Sequence, residues 1–186
     1  MARMTYRSLA FSLVLLAGAA FGADDARYDA HTIRAADLPL NPPRLEQYPA
    51  TKGFLGRIAP ADVKTQPQAR MFRTRISEGA KTGPNFAGHF TVVRWGCGAG
   101  CVGLAVVDAN SGKVYFPPNL GTVDSTNIAY EDFELPDGEL IRYKLNSRLL
   151  VAIGAINEDP ARRGISYFVW EHEQLRRIQF VAKPYE

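Results

Sequence analysis

From residue 89 onward, apolar and polar positions alternate with a period of two, and that rhythm predicts strands. The first are "HFTVVRW" (89–95), "VGLAVVD" (102–108) and "KVYFPP" (113–118). After a looser polar stretch at 119–136 come "ELIRYKL" (139–145), "RLLVAIGAI" (148–156), "ISYFVWEH" (165–172) and "LRRIQFVA" (175–182). Links such as "NS" and "EQ" are far shorter than a parallel crossover, so neighbouring strands are expected to run antiparallel. "DANSG", between the second and third strands, has the residues of a turn. Along 89–95 the alternation puts His89, Thr91, Val93 and Trp95 on one face, with Phe90, Val92 and Arg94 on the other.

The period changes once. Ala69, Phe72, Ile76 and Ala80 recur at steps of three, four and four, which predicts a helix over roughly 66–80 with one narrow apolar stripe. Thr65 with Gln68 fits a capping box, and Gly83 and Pro84 stop the helix. Upstream, "KGFLGRIA" (52–59) reads as a short strand ended by Pro60. Residues 23–50 hold four prolines and no sustained period. They are expected to form an extended arm, either mobile or laid across the domain. These elements sum to an α+β, mostly β fold: antiparallel meanders of three or four strands, curled or sandwiched, with one covering helix.

The beginning of the chain, "MARMTYRSLAFSLVLLAGAAFGADD", has the pattern of a secretory signal peptide. Arg3 and Arg7 precede an apolar run, Leu9 to Phe21, that is too short to span a bilayer. Ala20 and Gly22 suit cleavage before Ala23, and no cysteine follows for a lipid anchor. The expected division is therefore a signal peptide at 1–22, the arm at 23–50 and a single β-rich domain at 51–186. Localisation follows as periplasmic or secreted, with no membrane span in the mature chain. Residues 1–22 carry two of the 22 basic residues and none of the 19 acids, so the net charge falls from +3 to +1. That balance gives no electrostatic reason to expect a nucleic-acid partner.

Export changes the reading of the only two cysteines, Cys97 and Cys101, because a disulfide is the default in an oxidising compartment. A bridge needs Cα atoms within about 7 Å, whereas four residues of extended strand separate them by roughly 13 Å. "CGAGC" must therefore turn, and Gly98 and Gly100 permit the dihedrals of a tight turn. A redox pair would want two intervening residues, and His89 with both cysteines matches no common zinc module. No metal and no cofactor are expected.

The remaining chemistry is sparse. His89, at a strand start beside Gly88, suits either a base or a polar side chain satisfied by a nearby carbonyl. The chain has no G-x-S-x-G, no H-E-x-x-H and no phosphate loop. Glu131, Asp132 and Glu134 read as a solvated loop before a glycosidase pair, and "DANSGK" lacks calcium-loop ligands. Arg70, Arg73 and Arg75, with Arg162–Arg163 and Arg176–Arg177, form either an anion-binding face or simply wet surface. Trp95, Tyr167, Phe168 and Trp170 are expected in core or half-core positions.

"GPNFAGHFTVVRWGCGAGCVGLAVVDANSGKVY" resembles a segment of uncharacterised small exported bacterial proteins, and "RLLVAIGAI…GISYFVWEHEQLRRI" fits the same type. The resemblance implies export and a β-rich domain, with no activity and no catalytic residues to carry across. The functional expectation is a non-catalytic module that binds a protein or cell-envelope component through a surface braced by the disulfide loop. Its contact residues would be His89, Arg94, Gly96, Gly98 and Gly100, beside Cys97 and Cys101. The alternative is an exported hydrolase or thiol-dependent enzyme using His89 with Cys97 or with an acid such as Asp108. Oligomeric state is left open.

Overall fold

The computed structural model describes residues 30–133 and 139–185. The expected signal peptide, the arm's residues 23–29 and Glu134 lie outside the described residues. From His31 onward the chain forms one unit. Its strands are β1 (Phe90–Gly98), β2 (Cys101–Asp108), β3 (Val114–Tyr115), β4 (Thr122–Asp124), β5 (Ile141–Tyr143), β6 (Leu149–Ile156), β7 (Arg163–Glu171) and β8 (Gln174–Ala182). All pair antiparallel in one eight-stranded sheet of order β1-β2-β4-β6-β7-β8, with β3 added to β2 and β5 added to β6. The fold is α+β and mostly β.

The order departs from simple meanders at β3 and β4. Phe116, Pro117 and Pro118 end β3 after two residues, because proline cannot donate to the ladder. The chain then returns to the other end of β2 as β4, where Thr122 pairs with Gly103 and Asp124 with Cys101. Two further residue pairs join β4 to β6. This three-residue strand lies inside the stretch expected to be loose, and it links the two halves of the sheet.

Each half is covered on both faces. Val93, Ala105, Val107 and Val114 pack under the helical layer with Ala69, Ile76 and Ala80. The opposite face of β1 and β2 carries Phe90, Val92, Leu104 and Val106 into the main core. There Trp170 of β7 meets Phe90 at 5.1 Å and Tyr115 at 5.6 Å between ring centroids. The other face of β6 and β7, where Val151 opposes Tyr167 and Ile153 opposes Ile165, lies beneath the arm. Ile33 is fully buried, and Ala35, Leu45 and Tyr48 pack against the same core. Backbone bridges Ile33 to Ile128 and Pro49 to Ser147 fasten the arm. Strands buried on both faces read as near-continuous apolar runs, which accounts for "LLVAIGAI" and "ISYFVW".

The helix is interrupted. It forms as α1 (Pro67–Met71) and α2 (Arg73–Ala80), broken at Phe72, whose φ and ψ are −102° and 20°. Phe72 turns to stack on Trp95, ring centroids 4.5 Å apart. The capping box does not form: the Thr65 hydroxyl donates to Asp62, and Gln66 takes the N-cap position ahead of Pro67. Residues 52–59 are not a strand either, because they meet no sheet edge. Of their backbone groups, Ala59 donates to Ala109 at 2.8 Å, and Leu55 stands fully exposed.

Candidate functional site

The β1–β2 hairpin positions the residues singled out from sequence. At its tip Cys97 and Cys101 form a disulfide, with Cα atoms 5.1 Å apart. Gly98 and Gly100 adopt φ of 151° and 70°, values that side chains disfavour. The tip is anchored on one side, where the Ser125 N–H donates to the Gly100 carbonyl at 2.7 Å. Below it, Trp95 lies across Gly103, so close that a Cβ there would sit 2.8 Å from the indole nitrogen.

β1 is an edge strand, and its outer edge is only partly satisfied. Phe90 exchanges both backbone bonds with Phe86 at 2.9 Å. Two residues on, the Asn85 side chain imitates a neighbouring strand: its Oδ1 accepts from the Val92 N–H at 2.8 Å, and its Nδ2 donates to the Val92 carbonyl at 3.2 Å. By the same alternation the backbone groups of Arg94 and Gly96 also point outward.

Beside this edge runs an open groove of about 700 Å³. Val92 to Gly96 form one wall, Glu139, Leu140, Ile141 and Tyr143 of the β5 region another, and Arg75, Glu78 and Gly79 of α2 a third. Arg94 Nη2 meets Glu139 Oε1 at 2.6 Å, and its guanidinium lies 5.7 Å from the centroid of the Tyr143 ring. Burial raises the Tyr143 phenol above its ordinary value, opposed by Arg94 and reinforced by Glu139. One end of the groove is shut where Gly88 and Ala87 donate to the Leu145 and Ser147 carbonyls.

No protein-family model, curated protein or solved structure matches this chain.

Arg94 and Gly96 therefore share the groove, with the stapled tip directly beyond. His89 does not join them. It precedes β1, and eight residues of strand put it on the order of 25 Å from Cys97. Its Nε2 lies 4.0 Å from Asp108 Oδ1 and its ring packs on Phe90, while Nδ1 is buried without a hydrogen-bond partner among the described residues. Both Asp108 oxygens serve the following turn, accepting from the Asn110 N–H at 2.8 Å and the Ser111 hydroxyl at 2.7 Å. The sulfurs are bonded to each other, so the imidazole and the two cysteines assemble neither a metal site nor a nucleophile with its base.

The arginines do not share one face. Arg163 is buried, donating to the carbonyls of Lys183, Thr126 and Asn127. Arg162 bonds the Asn119 carbonyl, Arg176 pairs with Glu171, and Arg177 lies over Phe180. Of the three helical arginines, Arg75 lines the groove. Sequence reasoning missed Asn85, Glu139 and Tyr143 as groove residues. Asn85 carried one signal, a side chain able to donate and accept at once just ahead of an edge strand.

Proposed function

We propose that this chain is an exported, non-catalytic module that binds a protein or another cell-envelope component through the groove beside its disulfide-braced hairpin. The observation that carries this reading is the groove itself. It is open and lined by charges of both signs, and one wall is a strand held at its tip by a covalent bond. Bracing lowers the ordering cost of association, since the wall is already fixed before a partner arrives. Export is supported by the amino-terminal pattern, and a closed cysteine pair is compatible with an oxidising compartment.

A pull-down from envelope extract tests the reading with wild type, Cys97→Ala/Cys101→Ala and Arg94→Glu. A partner retained by wild type and lost by Arg94→Glu, with weaker retention by the cysteine variant, is the expected result. Equal recovery of every component by all three proteins overturns it. The enzyme alternative has less support, because Asp108 is committed to a turn and both thiols are consumed. Two titratable thiols per chain in the folded, air-exposed protein would reverse that ranking.

A further inference from the structure

The groove walls are formed by consecutive residues. Val92, Val93, Arg94, Trp95 and Gly96 all border it, although the side chains of odd and even members point to opposite faces of β1. Five residues in a row can border one cavity only if it views the strand edge-on. The opposite wall repeats the pattern with Glu139, Leu140 and Ile141, and then Tyr143. There the Leu140 carbonyl accepts from the Ile153 N–H at 2.9 Å. Pairing of β5 with β6 thus uses Leu140 and Arg142, which leaves the backbone groups of Ile141 and Tyr143 facing away from β6. The groove is a gap in the curled sheet, bordered by two strand edges.

Edges of this kind recognise backbone, and one backbone mimic is already in place. Asn85 occupies the outward N–H and carbonyl of Val92 as a paired strand would. The next outward positions, Arg94 and Gly96, continue that ladder, and Gly96 is exposed with open space around its Cα. Natural sheets blunt such edges with charge, short length or cover. Here the Arg94 charge is drawn off by Glu139, and the disulfide fixes the hairpin just beyond Gly96.

Building on the binding function proposed above, we infer that the occupant of this groove is an extended polypeptide segment from another protein, which adds as a strand to β1 at Arg94 and Gly96. Main-chain hydrogen bonds would supply the affinity, and the Arg94–Glu139 pair with the Arg75 and Glu78 side chains would select among partner side chains. The site accommodates about three to four paired residues, from the end of the Asn85 mimic to the hairpin tip.

A display library of random linear heptapeptides, panned against the folded protein, supplies the probe. The selected peptides are then measured against Arg94→Ala and Arg94→Pro. Alanine removes the charge and keeps the N–H; proline removes both, on an edge position whose N–H makes no internal bond. Strand addition expects affinity to fall about three-fold or less for alanine and ten-fold or more for proline. Hydrogen exchange on the unmodified protein gives a readout that does not depend on the variant folding: bound peptide should slow the Arg94 and Gly96 amides. Absence of any peptide binder, equal affinity for the two variants, or unchanged exchange at both amides overturns strand addition. The extract pull-down separates the two claims. A partner lost on Arg94→Glu but leaving those amides unprotected keeps the binding module and removes its strand-pairing mode.

Discussion

β7 and β1 are both nine residues long, yet they are held by different means. β7 is buried through its first eight residues, with the half-sheet of β1 and β2 on one face and the arm on the other. β1 is buried for four residues and exposed for its last three. Where apolar cover ends, Trp95 stacks on Phe72 and the Cys97–Cys101 bond takes over. β7 is stable through its two buried faces and unavailable because β6 and β8 take both its edges. β1 ends the sheet, and the cross-link keeps it ordered with its outer edge open. Only the second arrangement can offer backbone to a partner.

The largest effect should come from the buried strand. Phe168→Ala removes a fully buried ring from β7 and is expected to cost about 3–5 kcal/mol, a large share of the roughly 5–15 kcal/mol typical of folded domains. Urea unfolding measures it, and a loss below about 1 kcal/mol would remove β7 from its central role. Next comes Cys97→Ala/Cys101→Ala. The closed ring is small, so the loop-closure model expects about 2 kcal/mol. Amide exchange should quicken at the hairpin tip while β6 and β7 stay protected; uniform acceleration across the sheet would erase the contrast between the strands.

Gly79→Ala sharpens the comparison from the helical side. A Cβ at this position falls 2.5 Å from Val93 Cγ1. Overpacking costs about 1–3 kcal/mol and exceeds the roughly 1 kcal/mol that alanine contributes to a helix. The expected net loss is about 1 kcal/mol by thermal melting, and a higher melting temperature would mean that α2 is not seated on β1.

The smallest effect concerns pH. The Glu171 carboxyl is held below its ordinary value, chiefly by a hydrogen bond from Arg176. A group depressed in the folded state stabilises above its unfolded value and loses that contribution as pH falls through the folded one. Both groups are solvent-facing, so the effect is slight. Acid titration of wild type against Glu171→Gln should show a shallow extra loss of stability below about pH 4, confined to wild type.

The fold was legible where pattern and burial coincide. β1 and β8 announce themselves by partial alternation, and β2, β6 and β7 by apolar runs of five or more residues bounded by turn residues. β4 does not, since Val123 is its single apolar residue and its place between β2 and β6 comes from chain geometry. The arm was hidden for the opposite reason. Ile33, Leu45 and Tyr48 reach the core singly, the last two between Pro43 and Pro49, so no period betrays them. Phe72 lay on the expected stripe, but Trp95, 23 positions later, is what breaks the helix around it. For the site, Arg94 and Gly96 were within reach of strand alternation and turn chemistry. Glu139 and Tyr143 come from a distant stretch, and nothing local in either sequence window indicates that the two edges face each other.

Arg163 has one more consequence. Its guanidinium lies 4.2 Å from the Tyr185 ring centroid and donates to the Lys183 carbonyl, while Lys183 pairs with Asp37 at 2.9 Å. The arm around Asp37 thus closes against the segment that follows β8. That contact spans 146 positions, so it forms only once β8 has been laid down beside β7. Cleavage within residues 31–50 is therefore expected to quicken when Lys183 is replaced by alanine, and limited proteolysis measures it.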